Sequence, residues 1–120
     1  MNTRWIVAAL AMSLTCGVGA QTAAKFPEHN KQLRIVVPFP AGGTTDLSAR
    51  MLVQALGPVL GQSVVVDNKG GGNGNIAAAA VKRAEPDGYT LLMQYSGYHV
   101  ISPLLARQKQ WDQGDFQPVA

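Results

Sequence analysis

The sequence predicts an α/β fold, a parallel sheet with helices on both faces. Three observations carry that prediction. Short apolar runs at 33–37, 63–67 and 89–95 alternate with helical patterns from about 45 and from 76, the order that builds a parallel sheet. The second run, Ser-Val-Val-Val-Asp, is apolar without alternation, as in strands covered on both faces. Turn-rich stretches follow each run, at 38–45, 68–75 and 96–102. Right-handed crossovers place all three on the carboxyl edge of the sheet, where ligands of such folds bind.

The first twenty residues stand apart from that pattern. Arg4 supplies a positive start, Trp5–Leu14 an apolar stretch, and Val18-Gly19-Ala20 a small-residue cleavage site. Residues 1–20 are therefore expected to be an export signal removed after Ala20, leaving 21–120 and a periplasmic destination. The apolar run is short for a membrane anchor. Cys16 raises a lipid-modified cysteine, but Ser13-Leu14-Thr15 before it fit a lipoprotein signal poorly.

The elements follow in order. Gln21 to Lys31 is polar, contains Pro27, and reads as an extended lead-in. Leu33–Val37 is a strand, stopped by Pro38 and Pro40 because proline cannot donate to a ladder. A helix starts at about Thr45. Leu47, Met51, Ala55 and Val59 recur at four-residue spacing, with Leu52 and Leu56 beside them, and predict its apolar face. Pro58 predicts an end or kink near Leu56, with Gly61 closing the segment. Ser63–Asp67 is the second strand, Asn68–Asn75 a glycine-rich loop, and Ile76–Arg83 a short helix of strong formers. Glu85-Pro86-Asp87-Gly88 is a turn by composition, and Tyr89–Tyr95 the third strand. Tyr98 to Arg107 reads as a loop into a short helix interrupted near Pro103.

Composition excludes several functions. The net charge is +3, and +2 without Arg4, with no basic cluster interleaved with aromatics, so nucleic acid is not an expected partner. Cys16 is the only cysteine. The segment after Ala20 therefore has no disulfide, no thiol nucleophile and no cysteine-ligated metal. One hundred residues suffice for one small domain with a modest core.

The strongest local signal is Pro38-Phe39-Pro40-Ala41-Gly42-Gly43-Thr44-Thr45-Asp46. A glycine turn running into a helix start presents unpaired N–H groups and the positive end of the dipole, a site for an anion. Thr44, Thr45 or Asp46 can cap the helix. No lysine follows Gly43, so this is not a nucleotide phosphate loop. Spacing alone leaves an anion site and a plain strand–helix turn both open. Gly72-x-Gly74-x-x-Ala77 matches a dinucleotide pattern weakly. It does not open directly from its strand, and no acidic residue ends the next one. Ser96 lacks the flanking glycines of a hydrolase nucleophile turn. His29 and His99 are far apart, without a metal-ligand cluster, and Asp112 and Asp115 are too isolated to be a catalytic pair.

Three blocks together carry a resemblance: RIVVPFPAGGTTDLSAR at 34–50, VVVDNKGGGNGNIAAAAV at 64–81 and EPDGYTLLM at 85–93. In this order and spacing they resemble the solute receptors of tripartite tricarboxylate transporters, the Bug family of periplasmic binding proteins. The resemblance runs from Phe26 to Ala120. It implies part of the first lobe of a type II periplasmic-binding-protein-like fold, with the second lobe absent from this chain. It implies a receptor and not an enzyme, with no cofactor and no metal. The implied ligand is a small organic carboxylate, and the implied partner a membrane permease served by a monomer. The ligand residues it implies are Phe39, Pro40, Ala41, Gly42, Gly43, Thr44 and Thr45, with Ser96, Gly97 and His99 lining the same cleft. Asp46 is assigned to helix capping and loop order. Where the family pattern is His-x-x-Asn-Pro, this chain has His99-Val100-Ile101-Ser102-Pro103, and serine offers fewer hydrogen bonds. Family members are considerably longer. The alternative reading is a shortened, nonfunctional remnant of such a receptor.

Overall fold

The computed structural model describes residues 26–28, 30–106 and 109–120. The export signal, its cleavage after Ala20, Cys16 and His29 lie outside the described residues. Three strands, β1 (Leu33–Val37), β2 (Val64–Asn68) and β3 (Thr90–Leu92), alternate with three helices, α1 (Thr44–Leu60), α2 (Asn75–Lys82) and α3 (Ser96–Leu105). The sheet order is β2-β1-β3, and both pairings are parallel. The expected parallel α/β architecture is therefore present.

β1 is central and carries the core. Leu33, Ile35 and Val37 face α1, packing with Ala49, Val64 and Tyr89. Strand side chains alternate between faces. On the other face, Leu92 packs with Ala78 of α2, Tyr98 of α3 and Trp111. Helices thus cover both faces.

Several boundaries differ from the sequence expectation. β2 and α2 each lie one residue from their predicted limits. Val64 is the only buried residue of β2, because β2 is an edge of the described sheet. β3 stops at Leu92 instead of Tyr95. Arg34 N–H donates to Tyr89 O, and Met93 N–H to Val36 O. The next bond in that alternation would be donated by residue 38, which is proline and has no N–H. β3 then has no partner to follow.

Neither internal proline breaks its helix where expected. Pro58 and Pro103 each sit two residues before the helix end. There the ring sacrifices one hydrogen bond near a terminus instead of interrupting a continuing ladder. α1 therefore runs past Leu56 and closes at left-handed Gly61 (φ 62°), whose N–H donates to Gly57 O at 3.0 Å. α3 starts already at Ser96, so residues 96–102 are helix and not loop.

The buried face of α1 is rotated from the predicted one and shares only Leu56 with it. Ala49, Val53, Leu56 and Leu60 pack on the sheet, whereas Leu47, Met51 and Val59 are exposed. The helix carries two apolar stripes. Asp46 belongs to the one that is buried, and its bond from Asn68 ties that face to the end of β2.

Candidate functional site

The turn after β1 is tied down by one carboxylate. Asp46 is 1 % exposed. It accepts from Gly42 N–H at 2.8 Å, Arg50 Nε at 2.9 Å and Asn68 Nδ2 at 2.9 Å. Asn68 Nδ2 also donates to Phe39 O at 3.1 Å. The end of β2, the loop and the first turn of α1 thereby become one unit. The Arg50 hydrogen bond, helped by Gly42 N–H and Asn68 against the cost of burial, holds the Asp46 carboxyl down at about 2. Gly42 has a left-handed backbone (φ +87°), which a side chain would strain.

Capping takes a different form from the one expected. Gly43 is the N-cap of α1 and has no side-chain cap, and Asp46 reaches back beyond it to Gly42. The first-turn N–H groups of α1 are left without a side-chain acceptor. The same holds at α3, whose N-cap Tyr95 has extended backbone and no side-chain cap bond. These two helix starts both lie at the carboxyl edge of the sheet, after β1 and β3 respectively.

A cleft of about 220 Å³ lies between them, lined by Thr44, Thr45 and Ser48 from α1 and by Met93, Gln94 and Tyr95 after β3. None of the six carries a formal charge. Hydroxyls, an amide and helix N-termini can hold an anion by geometry without a buried countercharge that would be costly when the site is empty. The six side chains offer no base–nucleophile pair. Among the described residues there is no group of three or more side chains fit for a metal ion.

The structure brings only some of the predicted residues to this cleft. Thr44 and Thr45 line it. Phe39 lies alongside, its ring stacked on Tyr95 with centroids 5.9 Å apart. Pro40, Ala41, Gly42 and Gly43 are exposed on the adjoining loop and are not among the lining residues. Ser96 and Gly97 form the first turn of α3 directly after Tyr95. His99 stacks on Trp111 at 5.3 Å and is also outside the lining.

Sequence reasoning missed Ser48, Met93, Gln94 and Tyr95. Ser48 was findable, since it lies one helical turn beyond Thr44 and its hydroxyl donates to Thr44 O at 2.9 Å. The other three were concealed by the overlong third strand. The glycine loop that matched a dinucleotide pattern has a packing role. Tyr98 hydroxyl donates to Asn73 O, and Gly74 lies under the Tyr98 ring.

With this geometry in place, comparison with known proteins is decisive. The family profile described as "Tripartite tricarboxylate transporter family receptor" matches residues 48–120. The chain belongs to that receptor family. Among curated relatives, it is 41 % identical over 108 residues to a UPF0065 protein of Bordetella bronchiseptica, covering 89 % of this chain and 32 % of that one. It is 39 % identical over 98 residues to Protein BugT of Bordetella pertussis, covering 80 % and 29 %. Solved receptors agree in fold. MatC from Rhodopseudomonas palustris with bound malate matches with a TM-score of 0.70 and 36 % identity, over 74 % of this chain and 31 % of that chain. An R. palustris protein solved with adipate matches with a TM-score of 0.65 and 42 % identity, over 70 % and 28 %. The chain spans about a third of the length of the curated relatives it matches.

Proposed function

We propose that this receptor chain is the N-terminal part of an extracytoplasmic solute-binding protein for a small organic carboxylate. One observation carries the reading: the uncapped starts of α1 and α3 flank an uncharged cleft at the carboxyl edge of the sheet, whose hydroxyls and amide lie beside the apolar surfaces of Met93 and Tyr95. The ligand carboxylate sits there, on first-turn N–H groups and on Thr44, Thr45 and Ser48. Phe39 and the 40–43 loop, together with Ser96 and Gly97, border the bound acid. The malate- and adipate-bound relatives support a dicarboxylate of this kind. Residues 21–120 form part of the first lobe, and a second lobe completes the site. The protein acts in the periplasm after removal of residues 1–20, as a monomer without catalysis, and hands its ligand to a tripartite-type permease.

Calorimetric titration of the intact receptor with malate, adipate, tricarboxylates and acidic amino acids tests this reading. Saturable heat with at least one carboxylate is expected. Silence with the whole panel would favour the remnant reading. Thr45→Val keeps the shape of the first turn and removes its hydroxyl. It is expected to weaken carboxylate binding roughly three- to tenfold, the scale of one net hydrogen bond. Unchanged affinity would remove Thr45 from the site.

A further inference from the structure

Gln94 lines the cleft and is hydrogen-bonded at only one end of its amide. Its Nε2 donates to His99 Nδ1. Its Oε1 is enclosed and has no hydrogen-bond partner among the described residues. The direction of the amide therefore rests on His99. His99 is itself clamped. Its backbone N–H donates to Tyr95 O at 3.2 Å, its ring stacks on Trp111 at 5.3 Å, and Phe116 meets it edge-on at 5.8 Å. Trp111 is 3 % exposed, and its Nε1 donates to Asn75 Oδ1 at 2.9 Å. Phe116 follows a short turn closed by reciprocal Asp112–Asp115 bonds.

We propose that Gln94 is the neutral amide donor to the ligand carboxylate and that His99 is its positioning residue, acting through the amide without touching the ligand. The proposal rests on the carboxylate reading above. A primary amide nitrogen carries two N–H bonds. One is spent on His99 Nδ1, which can accept only when the imidazole proton is on Nε2. The second N–H has no partner among the described residues, and Gln94 lines the cleft. Two N–H bonds on one planar group have a fixed angle between them, so holding the first sets the direction of the second. This explains why a histidine beside the site is packed into an aromatic cluster instead of opening into the cleft. It also links Trp111 to the site, through His99 and Gln94.

The test is a double-mutant cycle on the intact receptor, titrated with malate and with adipate. His99→Phe keeps a ring against Trp111 and Phe116 and removes the acceptor. Gln94→Leu removes the amide. Each is expected to weaken binding about tenfold, and the double variant no further, since both delete the same donor. His99→Asn, which restores an acceptor, is expected to recover most of the loss. Thermal midpoints of all four separate these effects from misfolding. Additive losses, or wild-type affinity in His99→Phe, would overturn the proposal. If the wild-type receptor binds no member of the carboxylate panel, the carboxylate reading fails, and the pairing is judged on the Gln94 side-chain amide by NMR. One slowly exchanging amide proton is expected in wild type and not in His99→Phe, and identical amide signals in both would overturn the assignment.

Discussion

Gly74→Ala is expected to destabilise the receptor by roughly 2–4 kcal/mol, combining overpacking with a left-handed backbone. Gly74 is buried with φ +79°. A Cβ built there would lie 2.6 Å from the Tyr98 hydroxyl and 2.7 Å from the ring carbon bearing it. The ring cannot swing aside cheaply. Tyr98 is 5 % exposed, its hydroxyl donates to Asn73 O, and it packs with Ala78 and Trp111. The added methyl would push α3 away from the loop, and with it Tyr95 and Gln94 at the cleft. Gly114→Ala is the control, since nothing lies within 4 Å of a Cβ there, and it is expected to stay within about 0.5 kcal/mol. Urea unfolding of the two variants makes the comparison. A Gly74→Ala loss no larger than that of the control would show that the Tyr98 contact does not hold the loop.

Asp46→Ala is expected to weaken carboxylate binding about tenfold or more and to lower the thermal midpoint. It releases Gly42 N–H, Arg50 and Asn68 together, and so frees the loop that precedes the first turn of α1. Asp46→Asn isolates the charge. The Asp46 carboxyl lies at about 2 against an ordinary 3.8, chiefly because of the Arg50 hydrogen bond. A carboxyl with a depressed folded value binds its proton more readily in the unfolded chain. Its stabilisation is therefore fully present above pH 3.8 and is lost as pH falls through about 2. Thermal midpoints of wild type are expected to fall more steeply between those two pH values than midpoints of Asp46→Asn. Asp87 and Asp115 are also lowered, by Lys31 and Lys82 respectively, but they are shared by both proteins and cancel in the difference. Parallel curves would show that the buried carboxylate is not what ties the loop.

What was legible beforehand was local. β1 needs only its apolar run and the two prolines after it, and the start of α1 needs only the glycine turn, so both were placed to within a residue. The carboxyl-edge position of the site follows from strand–helix alternation, which is also local. The misreadings share a different cause. The two apolar stripes of α1 are similar as patterns, and the buried one packs on strands distant in sequence and carries Asp46, bonded to Asn68, 22 positions away. β3 is cut short by the proline that directly follows β1. α3 starts early because the end of β3 releases Tyr95 to act as its cap.

By itself, then, the chain's order of residues determined a parallel α/β unit with a glycine turn running into a helix start at its carboxyl edge, because strand, turn and helix-start preferences act between near neighbours. Which side chains surround that turn was decided only in three dimensions. Gln94 reaches the cleft, and His99 turns into the aromatic cluster, through contacts between elements distant in sequence. Such contacts depend on the register of β3 against β1, on the rotation of α1 and on the room left at Gly74, and no local pattern encodes them.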